Sequence, residues 1–418
     1  MTQDVHWLVG VDWATQKHRV CVLDSNGRIL GDREFIHEGA ALSELSTWLL
    51  EKTGALPAQI AVAIETSHGP VVEILLERGF QVYAINPKQL DRFRDRFTVA
   101  GAKDDGRDAH VLADALRTDR RAFRRLDVED PVVIELREWS RMVEDLQQER
   151  TRLSNRVRQQ LWRYYPQALE LAGDDVAANW FLDLWQQVPT PAKAARIKET
   201  VVARILKANR IRRVDAAEVL RILRQKPLWV APGTTEAACA HIRTVAARIR
   251  LINQQIAEAS HQLDELCAKL EAPTENPPGQ QCEQRDVTIL RSSPGIGRIN
   301  LATLLAEAAE PLRRRDYHAL RALSGVAPVT RRSGKQRSVV RRYACNKRLQ
   351  NALYHWARVA SQHDPISRNR YAALRSRGHS HARALRGVAD RLLYVTCTML
   401  ERQMPFDPSY KNSQVTAA

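Results

Sequence analysis

The sequence predicts a mixed α/β N-terminal domain, a long helical middle and a mostly α-helical, strongly basic C-terminal domain. Three observations carry this. Two short apolar runs near the start, residues 7–11 and 60–64, each stop at one carboxylate, Asp12 and Glu65. Two long stretches farther on keep apolar residues at 3-4 spacing, the period of packed helices. A stretch holding Pro273, Pro277, Pro278 and Gly279 then divides those helices from the last third of the chain.

The elements follow in order. Residues 7–12 are a buried strand, and 19–23 a second. Ser25-Asn26-Gly27 is a tight-turn signal, because Asn-Gly tolerates positive φ. Residues 28–37 read as a third strand paired through that turn. Leu42, Leu45, Leu49 and Leu50 put a helix over residues 40–52. Residues 60–64 are a strand, 71–78 a helix closed by Gly79, and 81–85 a fifth strand. A helix carrying Asp104, Asp105 and Asp108 comes next. Three antiparallel strands followed by alternating helix and strand is the order of an RNase H-like (RuvC-like) fold.

The acids fit that order. An unpaired buried charge is costly, so a buried strand rarely ends on a lone carboxylate. Asp12 and Glu65 would end neighbouring strands, while Asp105 and Asp108, three apart, share one helix face. Four converging carboxylates repel each other unless a cation sits among them, and hard oxygen ligands suit Mg²⁺. Such a site can stabilise the attacking and leaving oxygens of a phosphodiester. Taken singly, each acid would be an ordinary surface group. Asp104, beside Asp105, is expected to support the ligands without joining them.

The chain has 418 residues and a net charge of +16, which points to a polyanionic partner, nucleic acid first. No run of 18 apolar residues predicts a membrane span, and the polar start gives no signal peptide. Six scattered cysteines without a Cys-x-x-Cys pair read as reduced thiols. Residues 1–130 form the first domain. Residues 131–270 form a helical coiled-coil region: Leu136, Trp139, Val143, Leu146, Leu153 and Val157 mark one helix, interrupted by Arg150. Ile242, Val245, Ile249, Ile252, Ile256, Ala259, Leu263, Leu266 and Leu270 mark the other, about four heptads long. A basic helical insert, about 166–235, separates them. The seam can close within one chain or between two, and it is expected to support self-association. Residues 271–284 are a linker, 285–405 a C-terminal domain and 406–418 a disordered tail.

The C-terminal domain opens on Pro294-Gly295-Ile296-Gly297, resembling the turn of helix-hairpin-helix modules. There Gly295 and Gly297 would let backbone N–H groups approach a phosphate. Between residues 313 and 348 lie twelve Lys/Arg and one acid, Asp316. Within this stretch Ser333 has glycine on one side, with Arg331, Arg332, Lys335 and Arg337 close by, and Arg341 and Arg342 continuing the basic set. A serine among such cations can attack a phosphate. Spacing alone favours a plain turn in a phosphate-binding loop, with Ser324 and Ser338 equally eligible.

These residues carry a family resemblance over nearly the whole chain. The chain resembles the insertion-sequence transposases with a DEDD acid tetrad, which are bridge-RNA-guided recombinases and relatives of Piv-type DNA invertases. Gly10-Val11-Asp12-Trp13-Ala14, Ile64-Glu65-Thr66-Ser67-His68-Gly69 and Lys103-Asp104-Asp105-Gly106-Arg107-Asp108-Ala109 match the RuvC-like domain. Pro294-Gly295-Ile296-Gly297, Ser324-Gly325-Val326-Ala327-Pro328 and Arg332-Ser333-Gly334-Lys335 match the transposase domain. One departure is Asp104, where the family more often has threonine.

The resemblance implies that Asp12, Glu65, Asp105 and Asp108 hold Mg²⁺ and that Ser333 is a nucleophile forming a covalent link to DNA. It implies a structured bridge RNA pairing with donor and target DNA, dimers assembling into a tetramer, and a bacterial cytoplasmic location. Two other readings compete: a RuvC-type nuclease or junction resolvase using water, and a non-catalytic nucleic-acid scaffold. Four intact acids weigh against the scaffold.

Overall fold

Trp7–Asp12 forms the central strand, β1, of a six-stranded sheet. The computed structural model describes residues 5–96, 105–128, 130–271, 281–334 and 336–408. After β1 come β2 (Lys17–Asp24), β3 (Ile29–Ile36), α1 (Gly39–Thr53), β4 (Ile60–Ile64), α2 (Pro70–Glu77) and β5 (Gln81–Ala84). Helices α3 (Pro87–Arg94) and α4 (Asp105–Thr118) and the two-residue strand β6 (Arg124–Arg125) complete the unit Met1–Asp130. The sheet order is β3-β2-β1-β4-β5-β6. The first three strands are antiparallel, β1, β4 and β5 are parallel, and β6 pairs antiparallel at the edge. This is the predicted RNase H-like order with α3 and β6 added.

Side-chain alternation explains the layers. Val9, Val11, Ile60, Val62 and Ile64 face a core shared with Leu45 and Leu49 of α1 and Leu75 of α2. The opposite face offers Leu8, Ala61 and Ala63 to α4, which answers with Ala109, Leu112, Ala113 and Leu116. Small residues meet small residues there, so the α4 backbone lies close to the sheet. Gly10 is the tightest point: a Cβ added to it would stand 1.9 Å from the Ala109 carbonyl oxygen and 2.6 Å from the Ala113 nitrogen.

The second compact unit is Pro131–Ala418. Helix α5 (Pro131–Tyr164) runs out and α11 (Thr234–Glu271) returns. Their 34 and 38 residues make helices about 51 and 57 Å long. Five shorter helices lie between them: α6 (Pro166–Ala172), α7 (Asn179–Gln187), α8 (Pro191–Arg196), α9 (Glu199–Ala208) and α10 (Ala216–Leu223). The pair is antiparallel, for Arg150 Nε donates to Asn253 Oδ1 at 2.7 Å and Cys239 Sγ lies 3.4 Å from the Tyr164 hydroxyl. Arg150, which interrupts the apolar pattern, also binds Asp175 at 2.8 Å.

The seam closes inside one chain. Ile242, Ile249 and Ile252 are buried with Leu153, Val157, Trp180 and Trp185 of α5 and the insert. Ala259, Leu263, Leu266 and Leu270 are buried with Leu136, Val143 and the C-terminal helices. Of the two closures the spacing allows, within one chain or between two, the structure shows the first.

The C-terminal helices are α12 (Gln281–Arg291), α13 (Arg298–Glu307), α14 (Ala309–Arg313), α15 (Tyr317–Leu323), α16 (Lys347–His363), α17 (Pro365–Ser376) and α18 (His381–Arg402). A hairpin, β7 (Val329–Ser333) and β8 (Gln336–Val340), stands between α15 and α16. Although the sequence divides this unit at 271–284, helices on both sides of the division share one core. Ion pairs add to it: Arg141 donates to Glu307 at 2.8 Å and Arg348 to Glu144 at 2.7 Å. Burial alone would raise the Glu307 carboxyl, but hydrogen bonds from Arg141 and Asn346 hold it below its ordinary value.

The five described cysteines are free and four are buried, with burial pushing Cys21 and Cys397 up to about 12. Among the described residues, no helix is long and apolar enough to cross a membrane. Most of the predicted tail and linker, residues 409–418 and 272–280, lie outside the described residues.

Candidate catalytic site

The parallel pairing of β1 with β4 sets Val11 opposite Ile64. Asp12 and Glu65, the next residue on each strand, therefore leave the sheet side by side, on strands about 4.8 Å apart. Helix α4 brings the third group. Its contact with Gly10 begins at Ala109, one residue after Asp108, so the close approach at Gly10 carries Asp108 to the same edge.

Arg94, in the last turn of α3, ties this edge together. Its Nε donates to Asp108 Oδ1 at 2.7 Å and its Nη2 to Asp108 Oδ2 at 2.8 Å, a two-pronged pairing. Nη2 also reaches Glu65 Oε1 at 3.2 Å, and Nη1 reaches Asp91 Oδ1 at 2.7 Å. Burial lowers the Arg94 pKa, but the hydrogen bonds and charges of Asp108, Glu65 and Asp91 outweigh it and raise the group above its ordinary value. The side chains of Arg94, Glu65 and Asp108 are only 22, 20 and 13% exposed, so the pairing is stronger than a surface ion pair.

The structure thus brings Glu65 and Asp108 onto one cation, with Asp12 at the neighbouring strand end. Among the described residues no three His, Cys, Asp or Glu side chains form a group able to share an ion. Asp105 begins α4, but its side chain, like all of Asp104, lies outside the described residues. Two carboxylates, Glu65 and Asp108, gather round the positive charge that Arg94 supplies, and oxygen donors are the kind a hard divalent cation takes. Nothing in the spacing of the acids points to Arg94. Its helix did leave a signal, Asn86 before Pro87, and the Asn86 side chain accepts from Lys88 N at 2.9 Å as an N-cap.

The basic loop of the C-terminal unit is a hairpin. Ser333 pairs with Gln336 at the end of the hairpin, and Gly334, next to Ser333, has φ 55; Lys335 lies outside the described residues. Arg331 faces Ser338, and Arg332 faces Arg337. Like charges directly opposite destabilise a hairpin, and a two-stranded hairpin is marginal to begin with. An anion between the strands would reverse that penalty. Ser333 is exposed at the tip. Ser324 is fully buried and donates to the Leu320 carbonyl at 2.7 Å, which removes it as a nucleophile. Ser338 is exposed on β8. Arg342 Nε donates to the Ala327 carbonyl at 3.3 Å, bracing the base of the hairpin.

The turn at residues 294–297 joins α12 and α13, as predicted for a turn between helices. Gly295 nevertheless serves packing: it has φ 73, and a Cβ there would meet the Ala360 nitrogen of α16 at 2.7 Å. Trp356 Nε1 donates to the Pro294 carbonyl at 2.9 Å on the same side. The space a side chain would need at Gly295 is thus filled by the backbone of α16. Gly297 has open space round its Cα and caps α13.

Comparison with known proteins agrees with both halves. Residues 9–166 match the DEDD transposase model of the IS110 group, and residues 287–372 match the transposase model of the IS116/IS110/IS902 family. A protein of Streptomyces coelicolor, provisionally named as the mini-circle transposase for IS117, is 32% identical over 95% of this chain and 94% of its own length. The chain belongs to the IS110 family of transposases. A second family member, a Sinorhizobium fredii protein provisionally named transposase y4uE, is 60% identical over 53% of this chain, and the match spans 62% of that relative. The IS110 element protein of Streptomyces coelicolor is 26% identical over 96% of this chain and 95% of its own length. Asp12, Glu65, Asp105 and Asp108 fall within the matched DEDD segment, and Ser333 within the second.

Proposed function

We propose that this IS110-family transposase cuts and rejoins DNA with two sets of groups, the carboxylates Asp12, Glu65, Asp105 and Asp108 and the hydroxyl of Ser333. The observation that supports it best is the shared cation of Glu65 and Asp108 beside Asp12. Those carboxylates would hold Mg²⁺, which when bound supplies positive charge to the scissile phosphate and to its attacking and leaving oxygens. Ser333 Oγ attacks phosphorus. An Oγ–P bond forms, the P–O bond to the departing strand breaks, the serine proton is lost to solvent and the departing oxygen takes one up. Arg331, Arg332, Lys335 and Arg337 would neutralise the phosphate, Arg341 and Arg342 behind them would hold the backbone of the strand, and Gly295 and Gly297 would offer backbone N–H groups. Because the phosphodiester energy is kept in the covalent link, rejoining needs no external source.

The further parts of this reading follow the family. A bridge RNA would pair with donor and target DNA, leaving the protein mostly backbone contacts. Dimers would pair into a tetramer, with serine and carboxylates of one site drawn from different subunits, in the cytoplasm of a bacterium. Asp105→Ala should abolish Mg²⁺-dependent strand cleavage while retaining nucleic-acid binding. Full cleavage by that variant would reject the tetrad. Cleavage lost in Asp104→Ala but kept in Asp105→Ala would instead move the ligand by one residue.

A further inference from the structure

At the root of the β7–β8 hairpin lies a cavity of about 410 Å³ whose lining includes Arg341, Lys347, Arg386, Gly325, Gln350 and Tyr354, and no acidic residue. It is a formed hollow: a Cβ on Gly325, φ 72, would meet Gln350 Nε2 at 2.6 Å and Cys345 Sγ at 2.7 Å, so the loop presses onto the start of α16. Two of its cations are held in place. Arg341 Nη2 donates to Gln350 Oε1 at 2.9 Å, and Lys347 Nζ to the Tyr343 carbonyl at 2.8 Å. Both lie against the ring of Tyr343, at 5.5 and 5.9 Å, and that ring is 70% exposed.

Arg386 differs from both. It is half-buried on α18, and among the described residues it has no carboxylate partner and no hydrogen-bond acceptor. Burial pushes its pKa down, and the like charges of Arg341 and Arg383 push it further. A desolvated guanidinium among other cations is unfavourable unless an anion completes the set. Neither the carboxylates nor Ser333 lines this cavity.

We propose that this cavity is a phosphodiester site, in which Arg386, with Arg341 and Lys347, holds the backbone of the nucleic-acid strand that runs along the hairpin to Ser333. The hairpin's own exposed cations lie between the two ends, Arg332 and Arg337 as a cross-strand pair on one face and Arg331 on the other, so a strand along either face meets positive charge. From Gln336, opposite Ser333, to Arg341 is five residues along β8 and its end. At about 3.4 Å each this is about 17 Å, or about five steps of a strand rising 3.4 Å per nucleotide. That register rests on the reading of Ser333 as nucleophile; the presence of a phosphate at Arg386 does not.

The test uses the full-length protein, its Arg386→Gln and Arg386→Lys variants, and labelled 30-nucleotide DNA and RNA of one sequence across a salt series. Arg386→Gln should bind about five- to tenfold more weakly at 0.1 M salt and lose about 0.7–0.9 from the slope of log K against log salt, one phosphate contact. Arg386→Lys should keep most of the slope. Whether the loss falls on DNA or on RNA names the strand. Without nucleic acid, Arg386→Gln should melt at or above the wild-type temperature, since a repelled charge is gone. An unchanged slope on both strands overturns the proposal, as does a lower melting point that accounts for the weaker binding. A single methylphosphonate about five nucleotides from the cleaved phosphate should weaken wild-type binding and leave Arg386→Gln unaffected. Interference at another position with the slope effect intact would reject Ser333's place on that strand while leaving the phosphate at Arg386.

Discussion

Arg94 is the residue on which the acid site turns. Without it, Glu65 and Asp108 would face each other with reduced solvent and no counter-charge. Arg94→Gln is therefore expected to lower stability by about 1–3 kcal/mol in chelator, less than for a fully buried pair because solvent still reaches the site. Millimolar Mg²⁺ should restore part of that loss, since a ligand that binds the folded state stabilises it. Thermal unfolding with and without Mg²⁺ checks this; a variant as stable as wild type in chelator would show that the Arg94 pairing carries no weight. Gly10 is the second residue of consequence. Gly10→Ala sets a methyl group against the backbone of α4 and should cost about 3 kcal/mol or more, read as a shifted urea midpoint. Gly39→Ala, with open space round its Cα, should leave the midpoint within about 0.5 kcal/mol. Equal midpoints for the two variants would contradict the tight seating of α4.

Among the elements, what can be read from the chain depends on how much of each is buried. β1 and β4 are legible because their buried runs stop abruptly at Asp12 and Glu65, and α4 because Asp105 and Asp108 stand one turn apart. The long helix α11 shows through its unbroken apolar spacing, and α5 through a 3-4 spacing broken at Arg150. Helix α3 does not: only Leu90 of its eight residues is buried, so no periodic apolar face marks it, and the role of Arg94 was hidden with it. The β7–β8 hairpin is exposed along nearly its whole length, so the alternation that betrays a strand is missing. The seam of α11 could be recognised but not its partner, since apolar heptads look alike whether they close on α5 or on a second chain. The structure closes it within the chain. Ile249→Asp should therefore unfold the second unit at every protein concentration, by about 4 kcal/mol or more. Circular dichroism over a dilution series checks this; a folded monomer would instead mean that the seam joins subunits.

At the scale of the whole molecule, the carboxylates belong to the unit Met1–Asp130 and the serine to the unit Pro131–Ala418. The proposed reaction needs both at one phosphate. The hairpin around Ser333 supplies cations and exposure but no carboxylate or histidine in its own sequence to activate the hydroxyl, so in the proposed reaction activation comes from the acid site. A net charge of +16 favours any polyanion whether or not chemistry follows, so nucleic-acid binding alone would decide little. The covalent link between protein and DNA decides more. Labelled DNA is incubated with protein, guide RNA and Mg²⁺ and run on a denaturing gel. The account predicts label travelling with wild-type protein, and neither adduct nor joined product with Ser333→Ala, whose nucleic-acid binding is retained. Cleavage by Ser333→Ala at the wild-type rate, with free DNA ends and no adduct, would contradict it and leave water as the nucleophile.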